Sequence, residues 1–306
     1  MPDNSQPATT CQSLSERDRQ PDTSPTPAPP QGIAESIRAE ARRLLGERVD
    51  VVIAYARAWS PTVATPCFIT HPADIDRLIF DEHCVHNLAR YLVGSEGYLT
   101  SPFVPQDKRP RVAIVATPVV MRTLAGLIQE HQFARGDLVV LGISDGTATG
   151  IEPDVVVGQI APESAKQRQI EADLHALAAL SPAERRAWWD AQFAKCVRCY
   201  ACRQVCPFCY CEQCIADKNL PQWIDRSPST VNNRDWITIR SFHLIGRCVT
   251  CGECERACPM DIPLNLINTH LAQAAHEIYG YVAGTNVELP PALLSLRGDG
   301  SQRSDG

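Results

Sequence analysis

The chain has 306 residues, 44% apolar and 21% charged, with a formal net charge of −6 at pH 7. That length implies two folded units with real cores, and the missing basic surplus argues against nucleic acid as a partner. No run approaches the roughly 18 apolar residues of a membrane helix. The first twenty residues carry neither an apolar stretch nor a twin arginine, so a cytoplasmic protein without a secretory signal is expected.

In chain order, residues 1–31 are rich in Pro, Ser, Thr and Gln. They cannot offset their ordering entropy by burial and are expected to be a disordered tail, with Cys11 inert within it. IAESIRAEARRLL then places Ile33, Ile37, Ala41 and Leu44–Leu45 at helical spacing. VDVVIAY (49–55) reads as a buried strand, and ADIDRLIF (73–80) and CVHNLARYLV (84–93) as two helices. RVAIVAT (111–117) is a second strand, PVVMRTLAGLIQEHQ (118–132) a helix starting at Pro118, and DLVVLGI (137–143) a third strand. Strand–helix–strand order implies parallel pairing through right-handed crossovers, so residues 32–162 read as an α/β domain, a small parallel sheet with helices.

Residues 163–195 read as a helical connector. Within it Ser181 is the expected N-cap, Pro182 the first helical residue and Glu184 the partner in a capping box. Trp188 and Trp189 are expected to pack against a neighbouring domain. NLINTHLAQAAHEIY (265–279) is an amphipathic helix, and residues 292–306 read as a flexible tail.

Eleven of the 14 cysteines lie between Cys196 and Cys258. In a reducing compartment this crowding favours metal over disulfide. CVRCYACRQVCP (196–207) and CVTCGECERACP (248–259) repeat the pattern C-x2-C-x2-C-x3-C-P. A [4Fe–4S] cube takes four thiolates, and in runs of this spacing the fourth cysteine ligates the other cluster. Pro207 and Pro259 fit the turn at which the chain leaves, since each fixes φ and lacks an N–H. The expected ligands are therefore Cys196, Cys199, Cys202 and Cys258 for cluster one, and Cys248, Cys251, Cys254 and Cys206 for cluster two. Zinc ribbons share the C-x2-C hook but not two complete runs each closing in Cys-Pro.

Cys209, Cys211 and Cys214 are left over. They can line and shield a cluster, exchange with its ligands, or build a third metal site with a partner chain. His83, Cys84 and His86 are candidates for part of a further metal site, although no second ligand pair lies near them in sequence. GISDGTATG is a Gly-rich loop after a strand, where backbone amides can cradle a phosphate, but it departs from G-x-G-x-x-G and reads better as a structural turn. Cys67 follows Pro66 at a strand start and reads as a small buried side chain. No catalytic constellation is supported by spacing.

CVRCYACRQVCPFCYCEQC, SFHLIGRCVTCGECERACPMDIPLNL and GYVAGTNVELPP, from about Cys196 to Pro291, resemble the ferredoxin-type domain of the β subunit of F420-dependent formate dehydrogenases. Cys209, Cys211 and Cys214 belong to that pattern. VDVVIAY, CFITHPADI and RVAIVATPVVMRTLAGL resemble, more weakly, the N-terminal domain of the coenzyme F420 hydrogenase/dehydrogenase β subunit family. The resemblance implies an α+β ferredoxin-type domain over 196–291 with two [4Fe–4S] clusters, serving as an electron-transfer subunit. It also implies a redox catalytic partner, either a molybdenum or tungsten formate dehydrogenase or a heterodisulfide-reductase-like flavoprotein.

Family members bind FAD and reduce the deazaflavin F420. This chain departs from them at several points. IAESIRAEARRLL replaces a Gly-rich opening. Ala116-Thr117-Pro118-Val119 replaces a Gly-Thr-Pro-Cys-like turn, and SDGTATG (144–150) lacks the usual cysteine. Only about 45 residues separate that turn from Cys196. These departures count against a retained FAD. A relay with a degenerate α/β docking domain is thus expected, against a flavin-containing β subunit that itself reduces F420 or NAD(P), or a non-redox protein stapled by metal.

Overall fold

The computed structural model describes residues 32–161, 164–218 and 220–289, without the side chains of 164–167. The expectations for 1–31 and 292–306 lie outside the described residues. Six strands form one mixed sheet: β1 (Val51–Arg57), β2 (Ala64–Ile69), β3 (Leu78–Ile79), β4 (Val112–Ala116), β5 (Leu138–Ser144) and β6 (Val155–Gln159). Their order is β2-β1-β4-β5-β6, with β3 also on β1. β1, β4, β5 and β6 run parallel, Val51 opposite Val112 and Ile114 opposite Val140. β2 and β3 return antiparallel.

The three strands read from the sequence are central, and every residue of β4 is buried. Burial without alternation means that both faces of the sheet are covered. Each branched side chain taken out of water there, such as Ile53 or Ile114, contributes roughly 1.5–3 kcal/mol. Helix α1 (Ile33–Leu44) lays Ile37, Ala41 and Leu44 into this core, and Ile33 fills the space over Gly158. Helix α2 (Pro118–Gln129) packs on β4 and β5.

The expected connector is two helices, α3 (Ser164–Ala179) and α4 (Pro182–Ala194). Ser181 Oγ accepts from Glu184 N at 3.3 Å while Glu184 Oε2 accepts from Ser181 N at 2.9 Å, closing the capping box. Trp188 is buried against Leu177 and Leu266, and Trp189 stacks on Phe193 at 5.4 Å. Helices α5 (Thr230–Phe242) and α6 (Leu264–Tyr279) complete the described fold. None of the helices among the described residues is long and apolar enough to cross a membrane.

Three expectations need correction. Neither ADIDRLIF nor CVHNLARYLV forms an α-helix. They give short 3-10 helices at Pro72–Arg77 and Leu88–Leu92, with Leu78–Ile79 in the sheet. The sheet is mixed, not wholly parallel. Among the described residues of 196–291 there are helices and loops but no strand, where an α+β arrangement was expected. The cysteine runs are spent on tight turns, and the chain between and after them goes into loops and the helices α5 and α6.

The cysteine-rich part is seated on α2. Gly126 lies under the Phe208 ring, where an added Cβ would stand 2.9 Å from Cζ. Arg122 Nη2 donates to Val249 O at 2.8 Å. Asn87 links both parts, donating from Nδ2 to Thr123 Oγ1 (2.8 Å) and from its backbone N–H to Glu253 Oε1 (3.1 Å).

Candidate metal centre

The two repeats fold alike. Arg198 and Thr250 occupy the same place in Cys-Val-x-Cys and are both left-handed, with φ of 58° and 56°. Tyr200 and Gly252 follow, again both left-handed, with φ of 60° and 77°. In each repeat the two left-handed residues flank one cysteine, Cys199 or Cys251. The N–H of Arg198 then donates to Cys196 Sγ at 3.4 Å, and that of Thr250 to Cys248 Sγ at 3.3 Å. A single helical turn closes each run, Ala201–Gln204 and Glu253–Arg256, and the two turns lie against each other.

A left-handed conformation costs a non-glycine residue roughly 1–2 kcal/mol, and such strain persists only where the surroundings enforce it. At Tyr200 they do. Its ring meets the buried Trp236 edge-on at 5.4 Å, and the Arg198 guanidinium lies 5.2 Å from the Trp236 ring centre.

Cys196, Cys199, Cys202 and Cys258 line one cavity, with Trp236, Ile237, Ile262 and Leu264 among the apolar residues of its walls. Three of these cysteines come from the first repeat and one from the second. Cys206, Cys248 and Cys251 instead pack against the core of the α/β sheet, and Cys254 is buried in the second core with Trp236 and Ile237, near Arg240, Cys248, Cys251 and Cys202. Cys199 is exposed, so the first set opens to solvent and the second lies deeper.

The chemistry of this donor set fits an iron–sulfur cube, which takes four thiolates: four cysteines drawn from both repeats line one cavity.

Burial pushes the Cys202 thiol up to about 11 and that of Cys248 up to about 12. Uncompensated thiolates at these positions are unfavourable. A metal supplies the missing positive charge.

The supporting residues come largely from a helix the sequence reading did not single out. On α5, Asn233 Nδ2 donates to Cys196 O (2.8 Å) and Phe193 O (3.2 Å), fixing the entry to the first repeat. Trp236 Nε1 donates to Asp217 Oδ1 at 2.6 Å, and Arg240 Nη2 to Cys202 O at 2.8 Å. From α6, Asn268 Nδ2 donates to Cys254 Sγ at 3.5 Å. Asn233, Trp236 or Ile237, and Arg240 recur at helical spacing behind the N-cap Ser229, a pattern that could have exposed this face.

The three leftover cysteines separate. Cys209 hydrogen-bonds through its thiol with Cys206 and Arg240. Cys211 is exposed, its carbonyl accepting from Arg203 Nη2 at 3.3 Å. Cys214 is partly buried against the core that contains Phe193 and Trp236.

His83, Cys84 and His86 do not converge. The Cys84 thiol turns back on Asp81, and burial pushes it up to about 12. His86 faces Arg256 and Glu253. Cys67 is a buried side chain of β2. In the Gly-rich loop, Gly150 N donates to Gly284 O at 2.8 Å and Asp145 accepts from Thr147 N, so the loop is a turn packed on GYVAGTNV.

Residues 195–263 match the family of 4Fe-4S dicluster domains. The F420-dependent formate dehydrogenase subunit beta of Methanocaldococcus jannaschii is 36% identical over 103 residues, covering 34% of this chain and 27% of that protein. The F420-dependent formate dehydrogenase 1 subunit beta of Methanococcus maripaludis is 35% identical over 105 residues, covering 34% and 26%. The chain therefore matches about a quarter of the length of these curated relatives. With both repeats in place on the structure, the cysteine-rich part of this chain is similar to 4Fe-4S dicluster domains and to part of the β subunits of F420-dependent formate dehydrogenases.

Proposed function

We propose that the chain is an iron–sulfur electron-transfer subunit of a multi-subunit oxidoreductase, holding two [4Fe–4S] clusters with crossed ligands. The observation that carries this reading is the cavity shared by Cys196, Cys199 and Cys202 of one repeat and Cys258 of the other. Bound clusters supply reversible one-electron transfer. The residues of this chain hold them, exclude water and set the electrostatic surroundings. Trp236, Ile237, Ile262 and Leu264 keep the first site dry, while Cys199 and the exposed Val197 bring it to the surface where a partner can dock. Cys206, Cys248 and Cys251 keep the second site against the α/β core, while Cys254 is buried in the core that contains Phe193 and Trp236.

The named relatives are β subunits of F420-dependent formate dehydrogenases, and by that kinship the partner is a redox catalytic chain, a formate dehydrogenase catalytic subunit or a heterodisulfide-reductase-like flavoprotein. In this reading the α/β domain is a platform, with α2 gripping the cluster module through Arg122 and Gly126 and, by way of Asn87, linking Thr123 to Glu253. Protein purified without oxygen is expected to carry about four iron and four sulfide per cluster, to bleach reversibly with dithionite, and to release no flavin on denaturation. Stoichiometric zinc in a colourless protein would defeat the relay. Released FAD with oxidation of reduced F420 or NAD(P)H would make the chain a flavoenzyme instead.

A further inference from the structure

Helix α5 carries one charged side chain into the space between the two cysteine repeats. Arg240 is 3% exposed. Its Nη2 donates to Cys202 O, but its Nε is buried without an acceptor. The groups that most strongly face its charge are Cys209, Cys206, Cys202 and Cys254, and no carboxylate is among them. Burial opposes the charge, but a guanidinium does not give up its proton in a protein. A buried cation without an anion is strongly unfavourable, so its counter-charge must come from these sulfurs in the thiolate form they take as cluster ligands.

The placement is specific. Cys202 belongs to the first expected ligand set, Cys206 and Cys254 to the second, and Cys209 to neither. Arg122, reaching over from α2, differs: it faces Cys248 and Cys251 and is shared with Asp145.

We infer that Arg240 is a counter-cation shared by both clusters, raising the two reduction potentials together. This rests on the two-cluster reading proposed above. Reduction adds negative charge to a centre, so a fixed positive charge in a dry site favours the reduced form. A single cation between the centres acts on both, whereas Arg122 acts on the deeper one. The planar guanidinium suits the position because it can hold the Cys202 carbonyl and the Cys209 thiol at once.

The test is an EPR-monitored redox titration of the full chain, reconstituted anaerobically, with iron and sulfide measured on each sample. In R240Q both midpoints are expected to fall, each by about a tenfold change in the reduction equilibrium, or about 59 mV for a one-electron couple. R240K, which keeps the charge, is expected to stay near wild type, and R122Q to displace one midpoint alone. R240Q with both clusters present and only one midpoint displaced, or neither, would overturn the inference. If R240Q fails to retain its clusters, R240K decides. Full occupancy with unchanged midpoints upholds the role of charge, and loss of clusters there too overturns it in favour of shape. A wild-type protein without two clusters would overturn the relay reading, and this inference with it, before any substitution is made.

Discussion

Arg247 Nη2 donates to Glu130 Oε2 at 2.8 Å, across 117 residues of sequence. Glu130 caps the end of α2, Arg247 precedes Cys248, and Tyr210 OH donates to the same carboxylate at 2.9 Å. Three distant segments thus meet on one carboxylate whose side chain is 5% exposed. Removing it leaves a partly buried guanidinium without its partner. Glu130→Ala is expected to cost about 3–5 kcal/mol in denaturant unfolding, and Glu130→Gln less, because the amide oxygen still accepts. Equal losses in the two variants would show that the charge contributes nothing.

The seam between α2 and the cluster module tolerates no added atom. At Gly126 a methyl group would press on the Phe208 ring, and overpacking of this kind costs typically 1–3 kcal/mol. At Gly284, with φ of +76°, the same methyl would stand 2.2 Å from Arg122 O. A ring can shift, but backbone held in a helix cannot. Denaturation midpoints should therefore fall further for Gly284→Ala than for Gly126→Ala, and the reverse order would contradict this packing.

Raised thiols make assembly pH-dependent. Burial holds Cys202 at about 11 and Cys248 at about 12, above the ordinary value of 9.0. These groups keep their protons more tightly folded than unfolded, so their share of the metal-free fold's stability is complete below pH 9. It is lost as pH climbs from 9 through 11 and 12. Ligation, by contrast, requires thiolates and releases protons. Iron incorporation into the metal-free chain should rise from pH 7 to 9 while proton release is recorded in weak buffer. A flat profile would mean that the ligands are already ionised.

The central strands were legible because VVIAYA, VAIVA and LVVLGI are branched, continuous and buried on both faces. Cys67 marked a strand start, but β2 already begins at Ala64, since the missing N–H of Pro66 is tolerated at the sheet edge. ADIDRLIF has helix-like apolar spacing over too few residues, and pairing of Leu78 and Ile79 with Ala56 and Tyr55 wins over a second helical turn.

The cysteine spacing named a candidate ligand set of eight, since chemistry fixes that pattern. It could not name Arg240 or Asn233. TVNNRDWITIRSF is only weakly amphipathic, and its polar side chains point inward because the cysteine loops offer them carbonyls and sulfur. The tail of α6 and the GYVAGTNV segment return to α2 through Tyr281 and Gly284, contacts that no local pattern encodes.

Crossed ligation is tested most directly by EPR of reduced Cys258→Ser, prepared without oxygen beside the wild type. Loss or conversion of the cluster whose other ligands are Cys196, Cys199 and Cys202, with the cluster of Cys248, Cys251, Cys254 and Cys206 intact, is the expected result. Damage confined to the cluster of Cys248, Cys251 and Cys254 would mean that each repeat holds its own, and the interlaced arrangement would be wrong.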